Sequence, residues 1–319
     1  MKTYVVILNW NGKKHIQACL SSLEKQTYGK FRVVFVDNGS TDGSEEYVKK
    51  HFPNVKFIET GKNLGFAEGN NVGIRYALKD RGAKHIVLLN NDTSVHKDWL
   101  RELVEVAECD KSIGMVGSKT YFQDRKTIDT LGLQMYKSGL AWDIKNERNL
   151  FTLFCPSGVS ALYKRELLED VKLGNEFFDK AFFLYAEDLD LGFRARLMGW
   201  KASCALNSIV YHKHGASSKG SNLATYQGHR NNLWVITKNY PLSLLALYSF
   251  HILITQLGSV IIYSLRGKPS LIIKAKLASI LGLPRMLAKR WQIQKNRKIS
   301  SSELRKLLLP GLAAKPADA

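Results

Sequence analysis

Four short apolar runs in the first 90 residues alternate with stretches of helical periodicity, and this alternation limits the folds open to the chain. The runs are YVVIL (residues 4–8), FRVVFV (31–36), VKFIE (55–59) and IVLL (86–89). Strands that alternate with helices predict βαβ units, and therefore a mostly parallel sheet flanked by helices. Each run is followed by a polar loop. Because ligands of open α/β sheets bind at the carboxyl ends of the strands, this pattern predicts a nucleotide crevice there.

The fourth run lies within HIVLLNNDT (residues 85–93) and ends abruptly at Asn90, Asn91 and Asp92. A carboxylate at the end of a buried strand can hold a hard cation against a diphosphate. Asn and Asp are also favourable residues at the N-terminal cap of a helix. These residues alone leave both interpretations open.

A second polar group follows the first two strands. Asn9 ends the first strand and Asp37 ends the second, while residues 62–71 (KNLGFAEGNN) are predicted to form a loop before the next helix. The Asp37 carboxylate can accept the N3–H of a uracil or thymine ring, and Gly65 and Gly69 allow the backbone to approach a diphosphate closely. The alternative is that Asp37 only begins a turn.

Two histidines, His212 and His214, follow a predicted strand over residues 203–211. At a spacing of two residues on an extended chain they share a face. A neutral imidazole and the Asp92 carboxylate can together bind Mn²⁺ or Mg²⁺, with a nucleotide diphosphate filling the remaining positions. The alternative is a surface histidine, or one that is satisfied by ordinary hydrogen bonds.

An acidic cluster of Glu187, Asp188 and Asp190 begins a predicted helix over residues 188–198. The helix dipole stabilises a carboxylate there as an anion, and such a group can take a proton from an acceptor hydroxyl as a general base. The alternative is that acidic residues merely favour the helix start.

A further helix is predicted over residues 227–238, where Arg230 and Lys238 can face phosphates of a donor or of a lipid-linked acceptor. The alternative on these residues is a solvated helix face. Both interpretations remain open.

In their order along the chain these segments resemble the family 2 inverting glycosyltransferases of GT-A fold, and within them the bacterial rhamnosyltransferase-like branch. The resemblance covers roughly residues 3–241 and is carried by VVILNWNG (5–12), VDNGSTDGS (36–44), NLGFAEGNNVGI (63–74), LLNNDT (88–93), SGVSALYKRE (157–166), FFLYAEDLDLGFRARLMGW (182–200), VYHKHGASS (210–218) and RNNLWVITKNYP (230–241). It implies an α/β fold of GT-A type, with a Rossmann-like, mixed and mostly parallel sheet.

The resemblance also implies roles for individual residues. Asp188 would be the catalytic base, and Glu187 would orient it or the acceptor. Asp92 stands where the family has the last acid of its DXD motif, so it would bind the metal together with His212 rather than His214. Contacts to the nucleotide sugar would come from Asn9, Asn11, Asp37, Asn38, Asn63, Gly65, Phe66, Asn70, Asn71, Asn90, Asn91 and Arg230.

The implied activity is transfer of a sugar, with inversion, from a nucleotide-diphosphate donor to a hydroxyl of a glycan or lipid-linked acceptor in cell-surface polysaccharide synthesis. The expected donor is dTDP-L-rhamnose, with a UDP-hexose as the alternative, and the expected cofactor is Mg²⁺ or Mn²⁺. One rival function is a sugar nucleotidyltransferase, which would need a GxGxR-type loop that NWNG (residues 9–12) is not. The other is a non-catalytic basic module.

The formal net charge of +19 is compatible with nucleic acid, an anionic membrane or phosphate-bearing substrates. The positive charge concentrates after Arg266, beside an apolar stretch, which favours a membrane surface over nucleic acid. Residues 242–265 carry no charged side chain and are long enough to span a bilayer. Residues 266–306 interleave basic with apolar side chains. Three states remain open: a single span, an in-plane or shallowly inserted helical hairpin, and packing on the catalytic domain or another subunit.

The four cysteines are widely spaced without a CxxC pair, which argues against a disulfide framework or zinc cluster and fits a reducing cytosol. The first residues, MKTYVVILNW, lack the features of a signal peptide. We expect a catalytic domain over residues 1–240, a membrane-associating helical region over 241–312 and a disordered tail over 313–319. The expected location is the cytoplasmic face of the cell membrane.

Overall fold

The computed structural model describes residues 2–213 and 221–311, so His214 and the predicted tail lie outside the described residues. The strands are β1 (Lys2–Asn9), β2 (Phe31–Asp37), β3 (Lys56–Glu59), β4 (Ala83–Asn90), β5 (Thr93–Val95), β6 (Ile113–Phe122), β7 (Ile128–Thr130), β8 (Leu133–Tyr136), β9 (Ala141–Asp143), β10 (Ser160–Lys164), β11 (Lys201–His212) and β12 (Leu308–Leu309). The helices are α1 (Lys13–Glu24), α2 (Ser44–His51), α3 (Gly65–Leu78), α4 (Trp99–Cys109), α5 (Arg165–Val171), α6 (Glu187–Leu197), α7 (Asn222–Asn239), α8 (Leu242–Leu247), α9 (Ser249–Leu265), α10 (Pro269–Leu281), α11 (Leu283–Asn296) and α12 (Ser301–Lys306).

Nine strands of the described residues form one sheet, in the spatial order β3-β2-β1-β4-β10-β6-β11-β5, with β7 paired to β6. β1 runs parallel to β2 and β4, and β6 runs parallel to β11, whereas β10 lies antiparallel between β4 and β6. The predicted mixed, mostly parallel sheet is therefore confirmed. In the pairing register Asn9 lies beside Asp37, and Leu8 lies beside Asn90, so these strands end at one edge.

The central strands are covered on both faces, which explains their continuous apolar runs. Val6 and Leu88 belong to the hydrophobic cluster on one face, and Ile7 and Leu89 belong to the cluster on the other. Side chains of a strand alternate between its two faces. Burial of both faces fixes the register of the sheet, and with it the position of the polar residues that follow each strand.

The predicted loop over residues 62–71 is wrong in its second part, because α3 begins at Gly65. Glycine has low helix propensity, which hid this helix in the sequence. A Cβ at Gly69 would lie 2.5 Å from Leu8 Cδ1, and one at Gly73 would lie 2.3 Å from Val6 Cγ1. These glycines let α3 pack closely on β1. Gly69 therefore serves helix packing and not the approach of a diphosphate.

Residues 242–265 form two helices, α8 and α9, which meet at Tyr248. Among the helices of the described residues none has the length and apolar character to cross a bilayer, so the predicted single span is not found there. Leu244, Met286 and Leu304 join the hydrophobic cluster that contains Trp234 of α7. Helices α8, α11 and α12 thus pack on the preceding domain, whereas no residue of α9 is buried, and membrane association stays a prediction.

A cluster of buried ion pairs surrounds Asp179, and one member of it, Lys289, belongs to the C-terminal helices. Lys238 is fully buried, with Nζ 2.7 Å from Asp179 and 2.9 Å from Asp190. Lys289 of α11 also pairs with Asp179. The prediction that Lys238 can face phosphates is therefore wrong, since its charge is neutralised inside the protein.

Candidate active site

The carboxyl ends of β1, β2 and β4 bring three predicted donor-binding residues into one hydrogen-bonded group. Asn9 Nδ2 donates to Asp37 Oδ1 and to Ser40 Oγ, both at 3.1 Å. Asn91 Nδ2 donates to Asn9 Oδ1 at 2.6 Å. The backbone of Gly12 packs directly on this group, because a Cβ there would lie 2.2 Å from Asn91 Nδ2. A larger residue at position 12 would displace the amides.

A second group links the end of β2 to the start of α3. Asn38 Nδ2 donates to Asn63 Oδ1 at 3.1 Å, and Asn38 Oδ1 accepts the backbone N–H of Leu64 at 3.0 Å. Asn63 Oδ1 also accepts the N–H of Gly65 at 2.8 Å. Gly65 has φ +80°, and a Cβ there would lie 2.6 Å from the backbone oxygen of Phe183. Asn38, Asn63 and Gly65 therefore fix the N-terminus of α3 beside Asp37.

The other predicted donor contacts near α3 differ in exposure. Asn11 is exposed at the rim of the edge, and Phe66 is half-buried in the first turn of α3. Asn70 is 2% exposed and donates to the backbone oxygen of Phe66. Asn71 is fully buried, where it donates to the backbone oxygen of Phe178 at 2.8 Å and accepts the N–H of the same residue. Asn71 thus holds the chain at Phe178 and has no exposed surface for a diphosphate.

Asn90 is the last residue of β4, and Asn91 and Asp92 form the turn to β5. The backbone N–H of Asn90 donates to the backbone oxygen of Val159 at 3.0 Å. The next helix, α4, begins only at Trp99. The interpretation of these residues as a helix cap is therefore wrong, and the side chain of Asp92 follows the strand end, as expected for a ligand-binding group.

His212, at the end of β11, lies between two carboxylates. Its Nε2 is 3.2 Å from Asp92 Oδ1, and its Nδ1 is 2.9 Å from Asp129 Oδ2. The pairing of β11 with β5 places His212 beside Thr93, which explains why Asp92 is within reach. The predicted pair of Asp92 and His212 is thus brought together across the sequence, and Asp129 of β7 is an additional member.

Burial by itself would lower the pKa of His212, but hydrogen bonds to Asp129 and Asp92 outweigh it and raise that pKa to about 9. The imidazole is therefore a cation at neutral pH when no metal displaces its proton. Histidines that bind metals characteristically use their second ring nitrogen to contact a carboxylate, which orients the ring. Asp129 stands in that relation to His212. Within residues 2–213 and 221–311 no three His, Cys, Asp or Glu side chains are grouped to hold a metal by themselves.

The turn that precedes α6 has unusual backbone geometry. Phe183, Tyr185 and Ala186 have φ angles of +62°, +70° and +66°, a region that residues other than glycine rarely adopt. Asn231 of α7 is fully buried against this turn. The two hydrogens of its Nδ2 are shared among three backbone oxygens, those of Phe182 (3.0 Å), Leu184 (2.9 Å) and Tyr185 (2.7 Å). Such backbone persists only where its surroundings fix it, and Asn231 supplies that restraint.

Glu187 and Asp188 follow the turn at the N-terminus of α6. Asp188 Oδ2 accepts the N–H of Gly158 at 2.9 Å, and Oδ1 accepts the N–H of Leu189 at 2.7 Å. Because Val159 bonds to Asn90, this places Asp188 beside the end of β4. Burial raises the pKa of Asp188 in spite of these donors. A carboxylate of raised pKa is a stronger base, so Asp188 is suited to remove a proton from a hydroxyl.

Glu187 is only 5% exposed. Burial, and next the charge of Asp188, raise the pKa of Glu187 well above its usual range. A buried carboxyl of this kind is favoured in its neutral form, in which it can donate a hydrogen bond. Glu187 thus fits the predicted orienting role better than that of the base.

Arg230 contacts the same turn. Its Nη2 donates to the backbone oxygens of Phe182 at 2.9 Å and Ala181 at 3.3 Å, and its guanidinium carbon lies 4.4 Å from the ring centre of Trp234. Burial lowers the pKa of Arg230. These contacts support the turn from α7, while a contact of Arg230 with the donor stays a prediction.

Three residues of this arrangement were not found from the sequence. Asp129 lies in a polar stretch where no motif marks it, and only the pairing of β7 with β6 brings it to His212. Asn231 lies next to Arg230 in RNN, but the neighbouring residues give no sign that its side chain contacts the backbone of the turn before α6. Ser40 lies in the DNGS segment, and its position just after Asp37 is the one local signal that could have found it.

Residues 4–172 match the model of the family described as glycosyl transferase family 2. The chain belongs to this family. N-acetylglucosaminyl-diphospho-decaprenol L-rhamnosyltransferase of Mycobacterium tuberculosis is 26% identical over 250 residues, which cover 70% of this chain and 79% of the relative. Low-salt glycan biosynthesis hexosyltransferase Agl10 of Haloferax volcanii is 24% identical over 202 residues, 60% of this chain. The matched part spans 61% of the length of that relative.

The fold also has solved counterparts. Mannosyltransferase PcManGT from Pyrobaculum calidifontis, in complex with GDP-Man and Mn²⁺, superposes with a TM-score of 0.57 at 16% identity, covering 92% of this chain and 85% of the other. This similarity confirms the predicted GT-A-type fold. The family match shows that the chain is a glycosyltransferase.

Proposed function

We propose that this glycosyltransferase moves L-rhamnose from dTDP-L-rhamnose to a hydroxyl of a lipid-linked or glycan acceptor, with inversion, in the synthesis of a cell-surface polysaccharide. The observation that carries the proposal is the grouping of three features at one edge of the sheet. These are the amide and carboxylate group of Asn9 and Asp37, the pair of Asp92 and His212, and the half-buried Asp188.

The donor assignment is supported by the Mycobacterium tuberculosis relative, whose name specifies L-rhamnosyl transfer. The second candidate is a UDP-hexose, favoured by the Haloferax volcanii relative, which is named a hexosyltransferase. The Asp37 carboxylate, which accepts hydrogen bonds from Asn9 Nδ2 and the N–H of Ser40, would contact the N3–H of thymine and of uracil alike. This contact with the nucleobase is therefore compatible with both donors. Other residues of the site must select the sugar.

In the proposed reaction the acceptor hydroxyl gives its proton to Asp188. Its oxygen forms a bond to the anomeric carbon on the face opposite the leaving group. The bond from that carbon to the diphosphate oxygen breaks, and its electron pair leaves with the diphosphate. One such displacement inverts the anomeric centre. Asn231 and the strained turn hold Asp188 in place for this step.

Asp92 and His212 would hold Mg²⁺ or Mn²⁺, and the arrangement of their side chains fits such an ion. A carboxylate and an imidazole face each other at 3.2 Å, and the imidazole is backed by Asp129. Oxygens of the donor diphosphate would complete the coordination. When bound, the cation supplies neutralisation of the charge that develops on the leaving diphosphate.

We further propose that the enzyme works at the cytoplasmic face of the cell membrane, as a peripheral or shallowly inserted protein, where a lipid-linked acceptor is presented. The support for this location is the basic and apolar character of the C-terminal helices. It does not depend on the identity of the donor sugar.

A donor panel tests the proposal. dTDP-rhamnose, UDP-glucose, UDP-galactose, UDP-N-acetylglucosamine and GDP-mannose are each titrated by calorimetry with and without Mn²⁺, and release of nucleotide diphosphate is followed with a lipid-linked acceptor. We expect dTDP-rhamnose to bind most tightly and to be turned over. Preferred turnover of a UDP-hexose would replace rhamnose by the second candidate. Asp188→Asn serves as the control that binds donor without turnover.

A further inference from the structure

The C-terminal helices α8 and α11 line an open cavity of about 610 Å³ that is separate from the candidate active site. It has an apolar part and a basic part, and none of the described residues that line it is acidic. The apolar part consists of Pro241, Leu242, Leu287 and Trp291, and the basic part of Arg290, Lys295 and Arg297. Such a combination is suited to an amphipathic anion.

The basic part is a prearranged set of donors. Arg290 is anchored by Nη1, which donates to the backbone oxygen of Thr237 at 2.7 Å. Arg297 Nη1 donates to Ser301 Oγ at 3.0 Å. Burial, and next the charge of Arg297, lower the pKa of Arg290, so the two guanidinium groups repel each other. A phosphate between them would relieve this repulsion, because guanidinium forks match its oxygens.

The apolar part is exposed. Leu242, Leu287 and Trp291 are 74%, 53% and 69% exposed, and Lys295 Nζ lies 4.9 Å from the ring centre of Trp291. Trp and Lys in this relation suit the boundary between lipid headgroups and acyl chains.

The neighbouring helix α9 also exposes apolar side chains. It carries no charged residue, and none of its 17 residues is buried. Its most exposed apolar side chains recur every three or four residues and therefore share one face: Phe250, Leu253, Leu257, Ile261 and Leu265.

The charge of the chain is concentrated in the same half of the sequence. Residues 191–319 contain 20 Lys and Arg but only two acidic residues, Glu303 and Asp318. Since the formal net charge is +19, nearly all of the excess belongs to this part. Basic clusters are attracted to the anionic surface of a membrane. Two copies of this face would repel each other, which disfavours a second copy as the occupant.

We infer that the cavity and its apolar rim are a docking site for an anionic lipid bilayer. Trp291, Leu242 and Leu287 enter the interface, and Arg290, Lys295 and Arg297 hold a phospholipid phosphate. The inference deepens the proposed function, since it rests on the proposed membrane location and says which face the enzyme turns toward its lipid-linked acceptor.

Co-sedimentation of the full chain with vesicles tests the inference. Vesicles of phosphatidylcholine alone are compared with vesicles that also contain phosphatidylglycerol. We expect binding to the anionic vesicles, weakened about 10- to 30-fold in the double variant Lys295→Gln/Arg297→Gln, as expected for two basic residues at the membrane surface. The matched control Arg305→Gln/Lys306→Gln removes two exposed basic residues outside the cavity and should retain most of the binding. Equal losses in both variants would show diffuse attraction and overturn the inference.

Trp291 gives a second readout that does not depend on charge. Brominated lipids should quench the tryptophan fluorescence of the wild-type chain, and the quenching should fall in Trp291→Phe. Phe151 is 85% exposed and lies outside the cavity and its rim. Phe151→Ser is therefore the control for non-specific hydrophobic binding to the vesicles. Unchanged quenching in Trp291→Phe would overturn the inference.

Sedimentation velocity and donor turnover separate the remaining outcomes. The cavity variant is Lys295→Gln/Arg297→Gln. If it and Trp291→Phe change the oligomeric state but not vesicle binding, the cavity and its apolar rim join copies of the chain and the inference is wrong. Turnover with a soluble acceptor should be unchanged in the cavity variant. Anionic vesicle binding by a chain without sugar transfer would support the docking site and overturn the proposed function. Sugar transfer by a chain that does not bind vesicles would support the proposed function and overturn the inferred docking site.

Discussion

Nδ1 of His212 lies 2.9 Å from Oδ2 of Asp129. The contact turns the other ring nitrogen, Nε2, toward Asp92. Asp129 comes from β7, and Asp92 comes from the turn after β4. The geometry of the proposed metal ligands therefore depends on a hairpin far from either ligand in the sequence.

Substitution of Asp129 should weaken metal binding without removing a ligand. We expect Asp129→Ala to lower the Mn²⁺-dependent affinity for the donor nucleotide about 10- to 100-fold, the usual cost of losing a partner that orients a ligand. Asp129→Asn should cost less, since its amide oxygen still accepts a hydrogen bond from Nδ1. Calorimetric titration with and without Mn²⁺ measures this, and Asp124→Asn, an exposed acid in the same hairpin, is the control. Equal affinity in Asp129→Ala and the wild type would contradict the role.

The base is tested at Asp188. We expect Asp188→Asn to lower kcat by about 10² to 10⁴, the usual contribution of general base catalysis, while donor binding stays near that of the wild type. The amide oxygen can still accept the N–H of Gly158, while the amide nitrogen cannot accept that of Leu189, so circular dichroism checks that the fold is retained. Single-turnover assays with saturating donor measure the loss, with Glu169→Gln as a surface control. A variant that keeps near wild-type kcat would remove Asp188 from this role.

Asn231 should act through the turn that presents Asp188. We expect Asn231→Ala to lower kcat about 100-fold, the scale associated with a displacement of about 1 Å in a reacting group. The affinity for the donor nucleotide should change little, because the Asn9 and Asp37 group is untouched. Measured kcat and calorimetric affinity separate the two effects, and Asn222→Ala, exposed in the first turn of α7, is the control. A parallel loss of both quantities would indicate general unfolding instead of a positioning role.

The alternation of strands with helices and the polar residues at the strand ends could be predicted from the sequence, although the order of the strands in the sheet could not, and in a parallel sheet the carboxyl ends of neighbouring strands lie together. This is why Asn9, Asp37 and Asn91 were expected in one place, and the structure brings them within hydrogen-bonding distance. The family resemblance pairs Asp92 with His212, and the structure places the two side chains 3.2 Å apart, while their role as metal ligands stays a prediction.

Other features could not be predicted because they depend on packing. The start of α3 was placed too late, since Gly65 and Gly69 lower helix propensity but allow close contact with β1. The contact of Asp129 with His212 depends on the register of the β6–β7 hairpin. An amphipathic helix such as α11 has the same pattern whether its apolar face meets a membrane or a protein core, so the sequence leaves open whether the C-terminal helices dock on α7.

The buried ion pairs behind α6 predict how stability depends on pH. Burial by itself would raise the pKa of Asp179, but Lys238 and Lys289 outweigh it and hold that pKa below its usual range. A folded pKa below the unfolded value of about 3.9 means that Asp179 stabilises the fold above that pH. The contribution is lost as pH falls from about 4 toward the lower folded pKa.

Asp179→Asn should therefore lower the free energy of unfolding by about 3–5 kcal/mol at pH 7, because it leaves Lys238 and Lys289 short of a buried partner. The difference from the wild type should stay constant down to about pH 5 and narrow below about pH 4, where the unfolded wild-type chain takes up a proton at this position. Urea unfolding across this pH range measures it, with the exposed Glu24→Gln at the end of α1 as the control. A difference that is the same at pH 7 and pH 3 would mean that the loss comes from packing and not from the charge of Asp179.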